Sequence, residues 1–186
     1  MRVTAGDARR VVHTAHQITF PVSGALQRVR LERAVRLLDC ERNKMSMQHG
    51  LDTDAQVFFY EHDFYVLSNF SAFNLRWKGH IFYTSEAAYQ WEKFPGLPLQ
   101  EEIKFAPSAH EAFKIAERYK TARRPDWETV RVPIMRNILR AKAEQHEYVR
   151  RKLLATGKRE LIEDSWRDDF WGWGPNRDGQ NMLGQL

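Results

Sequence analysis

A chain of 186 residues is long enough for one ordinary domain and short for two. Its 29 Lys and Arg exceed its 24 Asp and Glu, for a net charge of +5. Cys40 is the only cysteine, which excludes an intramolecular disulfide or a cysteine zinc cluster and suits a reducing cytosol.

The charge is unevenly spread. Residues 1–50 hold nine Lys and Arg against four Asp and Glu, while residues 51–186 hold twenty of each. Of 23 aromatic residues only Phe20 lies before position 51. Residues 1–50 are therefore expected to form a basic N-terminal arm, and residues 51–186 the globular body. Within the arm, Ala25, Leu26, Val29, Ala34, Val35, Leu37 and Leu38 recur at mostly helical spacing and predict an amphipathic helix. A polar run from Asn43 to Asp54 reads as a linker. The basic N-terminus lacks the apolar core and cleavage site of a signal peptide, and no stretch approaches a membrane span. A soluble cytoplasmic protein with no membrane partner is expected.

The body opens on Val57–Tyr60, an apolar and aromatic run of strand character, which Phe64–Leu67 is expected to continue. Asn74–Trp77 and His80–Tyr83 read as strands joined at Lys78-Gly79, a pair suited to a hairpin turn. Thr84 or Ser85 caps a helix expected to reach Phe94, where Pro95-Gly96 and Pro98 stop it. Further helices are predicted over residues 108–119, 125–144 and 147–155. Pro125 suits a first turn, and Pro133 predicts a kink or break. Gly157 closes the last helix, and Glu160–Glu163 returns as a strand. From Trp166 to Gly184 the chain reads as loop. The pattern is a mixed α+β domain with more helix than strand.

Two segments could carry chemistry. In Thr84–Phe94, Glu86, Tyr89/Gln90 and Lys93 share one helical face, which places a carboxylate, an amide and a cation on one stripe. Glu86 falls in the first turn, where the helix dipole favours its anion. The same spacing also describes an ordinary solvated face. The tail from Asp168 to Gly184 is unusually aromatic for a loop. Its glycines, Gly172 and Gly174 among them, let backbone approach a ligand, and Trp171 and Trp173 offer flat faces for a base. Asp168 begins it as a second carboxylate. Tryptophans that plug the core would give the same pattern. Trp127, near a helix start, reads by itself as core. No Walker loop, GxGxxG, GxSxG or HExxH occurs, and the seven histidines show no metal-ligand spacing. No metal or cofactor is expected.

Taken together, an ordered set of motifs resembles the NADAR/YbiA-like family. The set is Leu67-Ser68-Asn69-Phe70, Thr84-Ser85-Glu86 with Lys93-Phe94, Asp126-Trp127-Glu128, Leu153–Gly157, Leu161-Ile162-Glu163, Asp168 through Gly174, and Gly179 through Gly184. It runs from about residue 57 to the end and leaves out the basic arm. Ala87 stands where the family usually carries His. The resemblance implies a compact, mainly helical α+β fold with a small sheet and a hydrolase of N-glycosidic bonds. It implies catalysis by Glu86 and Asp168, with Ser68, Asn69, Phe70, Gln90, Lys93, Trp127, Trp171, Gly172, Gly174 and Asn181 around the substrate. Three activities are consistent with it. One removes ADP-ribose from guanine, with ADP-ribosylated DNA or RNA as partner; the basic arm favours this one. A second cleaves ribosylamino-pyrimidine phosphates of riboflavin synthesis. A third binds NAD or ADP-ribose without cleaving it.

Overall fold

Every strand among the described residues is three residues long, so the sheets are small and the helices must supply most of the buried surface. The computed structural model describes residues 51–60 and 62–186. The expectations for residues 1–50, including the Ala25–Leu38 helix, lie outside the described residues. Strand β1 (Gln56–Phe58) pairs in parallel with β4 (Glu160–Ile162), Val57 opposite Leu161. The Phe59 N–H donates to the Ile162 carbonyl at 3.0 Å and the Glu160 N–H to that of Ala55 at 2.8 Å. Strands β2 (Leu75–Trp77) and β3 (His80–Phe82) form the expected antiparallel hairpin. Lys78 and Gly79 both have positive φ, +46° and +82°, as a tight two-residue hairpin turn requires.

The residues after β1 do not extend the sheet. His62–Leu67 is a 3-10 helix. Phe64 and Leu67 stand three apart, so a turn of three residues sends both toward the core, where alternation would have split them between faces. The Ser68 N–H closes the turn on the Tyr65 carbonyl at 2.9 Å.

Helix α1 (Ser85–Trp91) begins at Thr84, whose side chain accepts from the Ala87 N–H at 3.1 Å. It stops before Phe94 because the next N–H groups, of Lys93 and Phe94, bond three residues back, to Gln90 and Trp91. Helix α2 (Leu99–Lys104) follows Pro98, a residue read above only as a stop. At a helix start its missing N–H is not needed. Helix α3 (Ala109–Arg118) is capped by Ser108. After a short 3-10 turn (Lys120–Ala122), α4 runs unbroken from Trp127 to Gln145, through Pro133. Pro133 and Thr129, the residue whose carbonyl it deprives of a partner, are both exposed, so water can take that bond. Helix α5 (Glu147–Ala155) ends before Gly157, at φ +65°.

The core gathers Val57, Leu75, Phe82, Phe94, Ile103, Met135 and Ile138, all 1% exposed or less. Glu92 is buried among them at 2% and fastens the hairpin to α1. It accepts the Trp77 indole N–H at 2.6 Å and the Lys78 ammonium at 2.9 Å. No helix among the described residues is long and apolar enough to cross a membrane.

Candidate active site

Glu86, Tyr89 and Gln90 share a face of α1, whereas Lys93, expected on the same stripe, lies in the turn just past the helix end; all four are buried. Glu86 is 6% exposed, Gln90 2% and Lys93 7%. The Gln90 side-chain N–H donates to Glu86 Oε1 at 2.6 Å. Burial raises the Glu86 carboxyl above the usual range; the Gln90 bond and the Lys93 charge oppose the rise, and Asp168 adds to it. Desolvation therefore works against the anion that the helix dipole, Gln90 and Lys93 favour. Burial likewise lowers Lys93, against the pull of Glu86. Lys93 Nζ lies 5.6 Å from the centre of the Tyr89 ring and 5.5 Å from that of Trp127.

Four elements meet at this face. From the turn after the 3-10 helix, the Asn69 carbonyl accepts the Glu86 N–H at 3.1 Å. Ser68 and Asn69 are held there by Lys142 of α4, whose buried ammonium donates to the Ser68 carbonyl at 2.8 Å and to Ser71 Oγ at 2.7 Å. Burial pushes Lys142 down to about 7. From the start of α4, Trp127 packs on Tyr89 at 4.9 Å between ring centres. From the tail, Trp171 meets the same tyrosine edge to face at 5.6 Å. Desolvation, with Glu86 close by, raises the Tyr89 phenol well above its ordinary range, so it stays protonated.

The tail is ordered by its own bonds. Asp168 Oδ1 accepts the backbone N–H groups of Phe170 at 3.0 Å and Trp171 at 2.8 Å, which fixes the stretch of main chain that carries Trp171. The N–H groups of Asn181, Met182 and Leu183 donate to the carbonyls of Gly172, Phe170 and Trp171, each at 3.0 Å. The Asn181 side chain accepts from the Glu163 N–H at 2.9 Å and donates to the Leu161 carbonyl at 2.8 Å, so it ties the tail to β4. Gly172 is needed for contact: a Cβ there would lie 2.8 Å from the Glu163 carbonyl oxygen. Gly174 has φ +69°. Phe70 is 38% exposed at the edge of the site. Phe170 lies under the Arg131 guanidinium, 3.5 Å from ring centre to Cζ.

One carboxyl was quoted in the sequence motifs without a role. Glu163 directly follows β4, is 6% exposed, and is pushed up to about 8 by burial, with Asp168 and Glu86 adding to the rise. The only clue in the sequence is an acid ending an apolar strand. Tyr89 and Lys142 were likewise not assigned to the site. Several buried polar atoms here lack a hydrogen-bond partner among the described residues: Asn69 Oδ1, Ser85 Oγ, Gln90 Oε1 and Glu163 Oε2. Each such atom costs about 1–3 kcal/mol. Buried polar atoms in a folded protein are normally paired, so this group of unpartnered ones marks the region for its chemistry.

Residues 58–186 match the model of the NADAR domain. The chain is 39% identical over 132 residues to a riboflavin biosynthesis protein (VVA0006) of Vibrio vulnificus, a match covering 70% of this chain and 36% of that protein. It is 36% identical over 141 residues to the N-glycosidase YbiA of Escherichia coli, covering 75% of this chain and 88% of the relative. The NMR structure of E. coli YbiA superposes with a TM-score of 0.66 at 35% identity, over 75% of this chain and 83% of that one.

Proposed function

The chain belongs to the NADAR domain family, and on that premise we propose that it is an N-glycosidase, hydrolysing the bond between C1 of a ribose and an amino nitrogen of a heterocycle. The observation that carries this reading is the buried Glu86 carboxyl, held by Gln90 and close to Tyr89, on which Trp127 and Trp171 pack. Breaking a C1–N bond of this kind builds positive charge on the ribose ring carbon and oxygen. A carboxylate in a site of low dielectric stabilises that charge far better than one in water. Glu86 serves as this carboxylate and takes a proton from the attacking water. Asp168 holds Trp171 through Oδ1 and adds negative charge to the same region. The tryptophans pack against base and sugar, Asn69 and Gln90 accept from ribose hydroxyls, and Lys93 tunes Glu86.

For the substrate we favour ADP-ribose attached to guanine, in nucleic acid or in nucleotide. The basic composition of residues 1–50 supports it, because nucleic acid is the polyanion such an arm would meet. The name of the Vibrio relative favours a second reading, a ribosylamino-pyrimidine phosphate of riboflavin synthesis. Incubating the protein with each compound and following base and sugar release separates them. Release of ADP-ribose from modified DNA supports the first, and release from the pyrimidine phosphate alone supports the second. Binding of ADP-ribose without release of either base would replace the enzyme with a binding module.

A further inference from the structure

The site holds more carboxyl groups than hydrolysis by Glu86 and Asp168 uses. Glu163 lies at the end of β4, buried, and carries an oxygen with no hydrogen-bond partner among the described residues. Its carboxyl is in the field of Glu86 from α1, of Asp164 and Asp168 from its own loop, and of Lys142 from α4. Lys142 spends its bonds elsewhere, on the Ser68 carbonyl and Ser71 Oγ.

Glu86 and Glu163 are therefore two buried carboxyls that repel each other but are supported unequally. Glu86 receives a short bond from the Gln90 amide and has the Lys93 charge nearby. Glu163 receives no donor among the described residues. Two interacting carboxyls in one buried site do not both ionise readily, and the proton settles on the one with less support for its anion. A second observation singles out the same region: Gln90 Oε1, on the amide that clasps Glu86, is also buried and has no hydrogen-bond partner among the described residues, in a residue 2% exposed.

We propose that Glu163 is a third catalytic carboxyl, which holds the proton that Glu86 lacks and delivers it to the departing nitrogen. This assignment rests on the N-glycosidase reading above. The C1–N bond breaks with its electron pair going to nitrogen, and the Glu163 proton caps that nitrogen, so the base leaves as a neutral amine. Water adds to C1 and gives its proton to Glu86. Transfer of that proton from Glu86 to Glu163 restores the starting state, and the net reaction is hydrolysis. Raised acid beside supported anion is the arrangement by which two carboxyls divide acid and base work.

Infrared spectroscopy of the full chain at neutral pH tests the proton's location without any substrate. A protonated carboxyl shows a carbonyl stretch distinct from carboxylate bands. The band is expected in the wild type, lost in Glu163→Gln and kept in Glu86→Gln. A band lost in Glu86→Gln but kept in Glu163→Gln would overturn the assignment, as would absence of the band from the wild type. If Glu163→Gln does not fold, the Glu86→Gln spectrum decides alone: a surviving band supports the proposal and a lost one ends it. The leaving group supplies a second reading. Nicotinamide riboside releases a neutral pyridine and needs no proton. Glu163→Gln should lose at least tenfold more turnover on an amine-linked riboside than on nicotinamide riboside. Equal losses on the two would remove proton delivery from its role. An enzyme inactive on every riboside but showing the expected spectra would refute the N-glycosidase reading while leaving the proton assignment standing.

Discussion

The Gln90 amide nitrogen lies 2.6 Å from Glu86 Oε1, one helical turn along α1, and the amide oxygen has no partner among the described residues. A glutamine placed this way supports the carboxylate of Glu86 and at the same time offers an acceptor to whatever enters the site. The bond joins two residues of a seven-residue helix, so it exists as soon as the helix does. What gives it chemical weight is the burial of both residues.

Glu86→Gln should leave the fold intact and reduce turnover roughly a hundredfold or more, the scale of losing a positioned acid–base group. The uncharged side chain matches in size, so circular dichroism should be unchanged. Base release from the preferred riboside is the measurement. A well-folded variant with full activity would exclude Glu86 from the reaction.

The two tryptophans should separate. Trp127 is 2% exposed and packed on Tyr89, so Trp127→Ala should cost about 3–5 kcal/mol of stability. Trp171 is partly exposed on the tail. Trp171→Ala should weaken binding of ADP-ribose by about 1–3 kcal/mol, the scale of base stacking. Chemical denaturation reads the first and titration of intrinsic fluorescence the second.

Glu163 makes stability depend on pH. Its folded form holds a proton up to about 8, while an ordinary glutamate releases it near 4.5, so the unfolded chain binds fewer protons across that window. Stability attributable to Glu163 therefore falls as pH rises from about 4.5 to 8. Lys142, lowered from 10.5 to about 7, acts in the opposite sense: its contribution rises between those values. Glu163→Gln should flatten the acidic limb and gain stability relative to wild type as pH approaches 8. Denaturant midpoints across the range give the difference, and parallel profiles would mean that Glu163 titrates normally.

Gly172→Ala should unfold or loosen the tail. The new Cβ meets the Glu163 carbonyl oxygen and Ser165 Cβ at 2.8 Å, and neither atom is the end of a flexible side chain. A loss of about 1–3 kcal/mol is expected, the scale of overpacking. Because Asn181 joins the same tail to β4, the damage should also reach Glu163, visible as a fall in activity larger than the loss of stability explains.

A protein beginning at Leu51 should fold and keep its turnover on a small riboside, because residues 1–50 carry the net charge and one aromatic residue. If the arm grips nucleic acid, the truncation should weaken binding to modified DNA and flatten its salt dependence by about one unit of log–log slope per lost phosphate contact. An unchanged slope would mean that the arm touches no phosphate. Failure to fold would move the domain boundary.

Much of the site was readable because its relations are local. The hairpin follows from Lys78-Gly79 between apolar runs, and the capped helix from Thr84 three residues before Ala87. The pairing of Glu86 with Gln90 follows from a spacing of four residues along one helix, whereas Lys93, expected on the same stripe, sits in the turn that ends it. Elements with ambiguous periodicity went astray: Phe64–Leu67 fits either a strand or a 3-10 turn, and Pro98 can stop a helix or start one.

Periodicity states which residues share a face; it does not state what that face will meet. A solvated stripe and a buried one have the same spacing, and only the packing of α1 against its neighbours, α3 and α4 among them, made this one buried. The parallel pairing of β1 with β4 joins segments from opposite ends of the body and carries Glu163 into the field of Glu86. The proton assignment depends on that encounter. Residue identity by itself determined that carboxyl, amide and amine groups were available on and near one helix. Their charge states were decided by tertiary structure, because desolvation and long-range Coulomb terms depend on neighbours that no local pattern specifies.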